Sequence, residues 1–337
     1  METTAQAIYA VHERARTAAP RSYLGVSQLG HECERFLWLS FRGAKSEPFD
    51  GRMLRLFDTG QREEARLVAE MRAAGIVVSE AQPDGAQWSV EAFGGHLRGH
   101  LDAALHRLPE APTVWHVGEF KTHNDKSFKA LQNKGVRVAK PTHWHQMNVY
   151  AGLTGMEWML YVAVNKNDDQ IHVERLPFDQ ADFDLMMNRA ERVVFGDAPP
   201  PKAGETAEAF VCKWCPHKSL CWGTDVPPAG CRACVNVTAQ RDGAWECSLH
   251  GTLSHAEQLR SCGDHRYVPI YLQRFADAVD SDGDAVVYRH RESGRSFTNG
   301  PRPGYSSAEI AACEGKAALV DPAVMELRTE FDGVIHG

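Results

Sequence analysis

Two carboxylates and a lysine in the middle of the chain sit on stretches that otherwise read as apolar strands. With a period of two along RGHLDAAL, Leu101, Ala103 and Leu105 share one face, and His100, Asp102 and Ala104 share the other. Along VWHVGEFKTHN, Val117, Glu119 and Lys121 share a face while Phe120 points away. Pro109 and Pro112 fall between the runs, so they read as neighbouring strands joined by a loop. Unpaired charges in such a place cost free energy. A salt bridge between Lys121 and one carboxylate on a half-exposed sheet would relieve part of that cost. The chemical alternative is that the three groups coordinate something.

The elements that must hold them are set by caps and periodicity. Ser27 is the expected cap of a helix with Leu29, Phe36, Leu37 and Leu39 inward, ended by Gly43. Residues 1–20 read as a helical or loosely ordered arm. Asp58 to Ala74 is expected to be a helix with Leu67, Val68 and Met71 inward and Gly75 as its stop. Short strands are expected at Ile76–Val78 and Gln87–Glu91, and a helix at Asp125–Lys134. Pro141 opens and Gly155 closes a further helix, on which Gln146 and Tyr150 lie one turn apart on one face. Met156–Asn165 and Gln170–Leu176 read as a hairpin, followed by a helix over Phe178–Phe195.

The cysteines form two sets. After Pro227, Pro228 and Gly230, the spacing Cys231-x2-Cys234-x12-Cys247 resembles a zinc ribbon. Tetrahedral zinc needs a fourth ligand, open here among Cys262, His250 and His265, with the thiolate preferred. The other set, Cys212-x2-Cys215-x5-Cys221 in FVCKWCPHKSLCWG, lacks a fourth cysteine nearby; Cys33 stands far upstream in HECERFLWLS. Cys313 has no partner spacing and reads as a core cysteine.

Taken in order, Asp102, then Glu119-x-Lys121, then Gln146-x-x-x-Tyr150 resembles the PD-(D/E)xK nuclease superfamily, and within it the RecB/AddB-like exonucleases. Cys33-x-Arg35 with Trp38, and the triplet Cys212, Cys215 and Cys221, are similar to the iron–sulfur motif of AddB and of the CRISPR adaptation exonuclease. The resemblance implies a restriction-endonuclease-like α/β fold, a mixed sheet flanked by helices and closed by a 4Fe–4S cluster on those four cysteines. Four thiolates would also suit zinc. It further implies that Asp102, Glu119 and the Phe120 carbonyl bind one or two Mg²⁺ or Mn²⁺ ions, hard cations suited to oxygen ligands. Lys121 would position the attacking water, and Gln146 and Tyr150 would orient the phosphate. Many such nucleases carry Gly-x-x-His on the early helix; here Gly60 is followed three residues later by Glu63, a candidate metal-side carboxylate in its place. His100 and His123 are near enough in sequence to assist, His100 as a candidate metal contact.

Composition bounds the rest. The chain has 337 residues, 43% hydrophobic and 24% charged, with nine cysteines and a net charge of −7. It is long enough for a nuclease domain over 1–225, a zinc-binding module over 226–270 and a small C-terminal extension over 271–337. No run approaches a membrane span and the first residues show no signal-peptide core, so a reducing cytoplasm is the expected setting and membranes are not expected partners. The acidic balance argues against a protein coated in basic surface. Yet Lys126, Lys129, Lys134, Arg137 and Lys140 crowd one stretch beside Lys121 against the single acid Asp125, a patch fit for a DNA backbone. The implied activity is a DNA exonuclease, in phage or bacterial recombination with or without a partner protein; no phosphate-loop motif of a helicase is present. Rival readings are an endonuclease on the same fold and a non-catalytic DNA-binding module.

Overall fold

The computed structural model describes residues 3–15, 21–44, 49–82, 84–313 and 316–336. The fold is mixed α/β, in two compact units. One comprises Met1–Ala19, Tyr23–His31 and Glu47–Ala190; the other comprises Pro20–Ser22, Glu32–Ser46 and Glu191–Gly337. The expected boundaries at 225 and 270 both lie inside the second unit. No helix among the described residues is long and apolar enough to cross a membrane.

In chain order the first elements are α1 (Thr4–Arg14), β1 (Leu24–Gly25), α2 (Val26–Leu29), α3 (Glu34–Phe41) and α4 (Gly51–Ala73). The helix expected after Ser27 is therefore two helices. Gly25, not Ser27, precedes the first, and Gly30 ends it. A side chain at Gly30 would run into the Thr142 backbone at 2.9 Å, so close packing there excludes a continuous helical residue with a Cβ. The second helix starts afresh from Cys33, whose extended backbone (φ −100°, ψ 109°) keeps its thiol at the cap position. The start of α4 also differs from expectation. Asp50, not Asp58, caps it by accepting the Met53 amide proton at 2.7 Å, which adds two turns of helix.

Then come β2 (Val77–Ser79), β3 (Ser89–Ala92), β4 (Leu97–His100), β5 (Ala103–His106), β6 (His116–His123), α5 (Asp125–Ala139), α6 (Pro141–Thr154), β7 (Trp158–Asn165), β8 (Ile171–Pro177) and α7 (Gln180–Phe195). Five strands form one sheet in the order β2-β5-β6-β7-β8, in which only β6 and β7 run parallel. The parallel pair needs a crossover, and α5 and α6 supply it. Leu67 and Val68 of α4 pack with Val78, Leu105, Phe120, Leu160, Val162 and Val164 in one buried cluster. This is where the outward Phe120 goes.

The run from Gly99 to Leu105 is not one strand. It breaks at Leu101–Asp102, and β4 pairs with β1 and β3 in a separate three-stranded sheet. At the break the Asp102 carboxylate accepts the Phe120 amide proton at 2.8 Å, two residues beyond the Ala103–Gly118 pair. The side chain replaces the backbone acceptor that the departing strand withdraws. In α5, the helix runs past Lys134 to Ala139 but is interrupted at Gly135, where φ is +69°. The amide freed there, that of Val136, donates to Glu174 at 2.8 Å.

The second unit continues through α8 (Phe210–Lys213), α9 (Lys218–Trp222), β9 (Val237–Ala239), β10 (Trp245–Cys247), β11 (Gly251–Leu253), α10 (His255–Gln258), β12 (Ala276–Asp282), β13 (Ala285–His290), β14 (Ser296–Asn299), α11 (Ser307–Ala312) and α12 (Pro322–Phe331). Two antiparallel sheets of three strands form, β11-β10-β9 and β12-β13-β14. The stretch Ser306-Ser307-Ala308-Glu309 carries the Ser-x-x-Glu signature of a helix start, and it forms the capping box of α11.

Candidate active site

The break after β4 and the alternation along β6 bring Asp102, Glu119 and Lys121 together. Lys121 Nζ pairs with Glu119 Oε1, lies 3.6 Å from Asp102 Oδ2 and donates to the Phe120 carbonyl at 3.1 Å. Across from β6, α6 presents Gln146 and Tyr150 on one face. Gln146 Nε2 donates to Glu119 Oε1 at 2.8 Å and to the Tyr150 hydroxyl at 3.4 Å. All five residues of the Asp, Glu-x-Lys, Gln-x-x-x-Tyr series thus meet in one place.

Glu119 is fully buried, and its second oxygen, Oε2, has no hydrogen-bond partner among the described residues. Leaving a buried carboxylate oxygen unpaired is costly. Desolvation raises the Glu119 carboxyl to about pKa 7; Lys121 works against that rise, and Asp102 and Glu64 add to it. Burial pulls Lys121 down, but the Glu119 and Asp102 carboxylates outweigh it and hold the ammonium charged well above its ordinary range.

Glu64, which sequence reasoning passed over, also faces this site. Burial first, and then Asp102, raises it to about 6. Glu63 lines the same groove but pairs with Arg66, 3.5 Å away. On the helix both lie about a turn from Gly60, and it is Glu64 that burial and the Asp102 charge act on. His100 is exposed, and among the described residues no hydrogen bond or ion pair of the site runs to its side chain; its backbone meets the Tyr150 hydroxyl. His123 is buried in a polar chain. Its Nδ1 meets Ser127 Oγ at 3.0 Å and its Nε2 meets the Tyr161 hydroxyl at 2.9 Å, which also meets His143 Nδ1 at 2.8 Å. Desolvation holds His123 down at about 4 and His143 at about 3, so both are neutral at physiological pH.

Of the basic residues beside the site, Arg137 pairs with Asp179 at 3.3 Å and Lys140 donates to Ser127 at 2.5 Å. Lys126, Lys129 and Lys134 are exposed on α5.

Gly99 lets Tyr150 approach. A Cβ there would stand 2.5 Å from Tyr150 Cε1 and 2.8 Å from Val26 Cβ. Gly99→Ala is expected to cost about 1–3 kcal/mol as overpacking, seen as a lowered melting temperature with weakened Tyr150 packing.

The two raised carboxyls impose a pH dependence. Between the ordinary value of 4.5 and about 6 to 7, the folded chain holds more protons than the unfolded one. Their own contribution to ion-free stability therefore falls as pH rises through that window. His123, His143 and His265, held below their ordinary 6.5, work in the opposite direction over the same range, so the readable signature is that of the ion: added Mn²⁺ should raise the melting temperature more at pH 8 than at pH 5. Equal Mn²⁺ shifts at both pH values would contradict this.

In the second unit, Cys33, Cys212, Cys215 and Cys221 line one cavity. Arg35 donates to the Pro200 carbonyl at 2.7 Å and Trp38 to that of Gly196 at 2.9 Å, so α3 is tied to the segment after α7. Burial raises the Cys215 thiol to about 11, and the neighbouring Cys221, Cys33 and Cys212 add to the rise. Cys231 is raised to about 11 in the same way, by burial first and then by Cys262, Cys234 and Cys247. Both Cys-x-x-Cys stretches make the same turn: the Cys215 amide donates to the Cys212 carbonyl at 3.2 Å, and that of Cys234 to Cys231 at 3.0 Å. The Arg266 amide donates to Cys234 Sγ at 3.4 Å. His265 Nε2 is engaged by the Gly230 carbonyl at 3.0 Å, while exposed His250 sits 3.0 Å from Asp264 and 3.8 Å from Cys262 Sγ. Buried Cys313 stands outside both sets.

No family model and no curated protein matches the chain. Several solved structures are similar to it. That of SSO0001 superposes with a TM-score of 0.39 at 15% identity, covering 64% of this chain and 95% of that one. LHK-Exo in complex with dAMP gives 0.36 at 14% identity over 56% and 90%. The alkaline exonuclease LHK-Exo from Laribacter hongkongensis gives 0.34 at 14% identity over 55% and 90%. Superpositions this shallow carry no weight beside the side-chain geometry of this chain.

Proposed function

We propose that this chain is a divalent-metal-dependent deoxyribonuclease that hydrolyses phosphodiester bonds at DNA ends. The carrying observation is the orphaned Glu119 Oε2, buried beside Asp102 and Glu64. Three carboxylates against one lysine leave negative charge that a hard divalent cation would balance, and the donors are all oxygen, as Mg²⁺ or Mn²⁺ prefers. Asp102, Glu119 and the Phe120 carbonyl would hold the ion, with Glu64 in the place expected of Glu63. Bound there, the ion supplies Lewis acidity toward phosphate and a water of lowered pKa.

The remaining work falls to the chain's own groups. Lys121, already charged and partly open to solvent, offsets the negative charge that grows on phosphate and holds the attacking water. Gln146 fixes Glu119 Oε1, and Tyr150 fixes Gln146. Lys126, Lys129 and Lys134 remain for the DNA backbone; Arg137 and Lys140 serve the fold.

The same reading gives Cys33, Cys212, Cys215 and Cys221 to a 4Fe–4S cluster, supported by their common cavity. It gives Cys231, Cys234, Cys247 and Cys262 to Zn²⁺, supported by the charge influence of the other three thiols on Cys231, while exposed Cys262 also lies within 4.8 Å of His250 and Asp264 ligand atoms. Both roles are mechanical. Anaerobically purified protein should be brown, with iron and one zinc; colourless protein with two zincs and no iron would move the first set to zinc.

The activity test uses end-labelled linear DNA and a covalently closed circle with Mn²⁺. Loss of the linear DNA alone supports an exonuclease. Cutting of the circle makes the chain an endonuclease, and no cutting of either refutes the reading.

A further inference from the structure

Beside the site runs a groove of about 450 Å³ with walls of opposite character. One wall is α4, from which Leu56 and Phe57 line the groove near its start and Gly60, Glu63 and Glu64 one to two turns on. Phe57 is 43% exposed and Phe49 51%, and the two rings meet edge to face with centroids 5.0 Å apart. Phe57, the one of the two that lines the groove, contributes little to the core. The opposite wall is polar, with Thr122, Ser127 and Lys166. Lys166 is exposed, and its ammonium has no partner among the described residues. Lys121 closes the inner end.

We propose that this groove takes the unpaired end of a DNA strand, with Phe57, held by its edge contact with Phe49, as the surface on which a base stacks. The inference rests on the nuclease reading and names its substrate form. An unpaired strand presents apolar base faces on one side and phosphates on the other, which matches an aromatic wall facing a lysine-bearing one. An intact duplex buries its base faces on one another and would set charged phosphates against a phenyl ring. The edge-to-face contact holds Phe57 in place before any base arrives, so stacking needs little reorganisation. From Phe57 to Glu64 the helix rises about 10 Å, which places the stacked base next to the site rather than within it. Between them Gly60 leaves the floor open, since a Cβ there would meet nothing within 4 Å.

The test uses the full chain with Ca²⁺ and oligonucleotides bearing 2-aminopurine at the terminal base, single-stranded or as a blunt duplex. Wild type and Phe57→Trp are expected to quench the single-stranded probe. Phe57→Ala is expected to lose the quenching and to lower the ratio of single-strand to duplex affinity about tenfold, in line with the value of one stacked base. Melting temperatures confirm that the exposed substitution leaves the fold intact. An unchanged ratio in Phe57→Ala, or quenching that survives it, overturns the stacking role. The nuclease reading fails separately: wild type that quenches but cuts no DNA keeps the platform and loses the enzyme. Cutting of single strands at equal rates by wild type and Phe57→Ala does the reverse.

Discussion

Lys121→Ala is expected to lower DNA cleavage by about a hundredfold to a thousandfold, the range for removing a preorganised charge from a transition state. The same change should leave Mn²⁺ affinity intact or strengthen it. Lys121 Nζ shares Glu119 Oε1 with Gln146 and stands 3.6 Å from Asp102, so its removal takes one positive charge from between two carboxylates. Without a metal the variant should be less stable than wild type by about 3–5 kcal/mol, the cost of leaving a buried charge unpaired; Mn²⁺ should recover much of that. Calorimetric Mn²⁺ titration and single-turnover cleavage on one preparation separate the two effects. Cleavage within tenfold of wild type would show that the lysine serves only as a salt bridge. A parallel loss of metal affinity would show that it merely organises the carboxylates.

Cys234→Ser is expected to remove one zinc and to unfold the region around β9, β10 and β11. Each of these strands has three residues, too few to hold a sheet by packing alone. Apparent binding energies for structural zinc run to about 10–16 kcal/mol, far more than such strands supply. Buried Arg42 and Arg232 add to the dependence. Arg42 donates to the Arg232 and Val237 carbonyls at 3.3 and 3.0 Å, and Arg232 to that of Phe41 at 3.0 Å. Burial lowers both guanidinium pKa values, so neither arginine is there cheaply. Metal analysis, thermal melting and limited proteolysis should report loss of zinc and early cleavage between 230 and 270. Cys212→Ser should likewise remove iron, whereas Cys313→Ser should leave metal content untouched. A Cys234→Ser protein with full zinc and wild-type melting would remove Cys234 from the ligand set.

Much of the site was legible because its signals are local. Alternation over a few residues puts Glu119 and Lys121 on one face of β6 and Phe120 on the other, and the structure keeps that arrangement. Pro141 and Gly155 bracket α6, and a four-residue interval puts Gln146 and Tyr150 on one side of it. The Ser306–Glu309 box is complete within four residues. Each depends on groups near in sequence, whose geometry the backbone itself sets.

What only the tertiary structure decided depends on packing between distant segments. Periodicity carried Asp102 along a strand that in fact leaves the sheet, because β4 is drawn to β1 and β3. Glu63 and Glu64 are adjacent, and the seating of Leu67 and Val68 against the sheet fixes the rotation that turns Glu64 inward. Phe49 and Phe57 stay exposed and meet each other because the core forms without them, which nothing in their own stretch of sequence foretells. A helix's phase and a strand's choice of sheet are settled by which distant surfaces close upon it, and no short window of residues contains those surfaces.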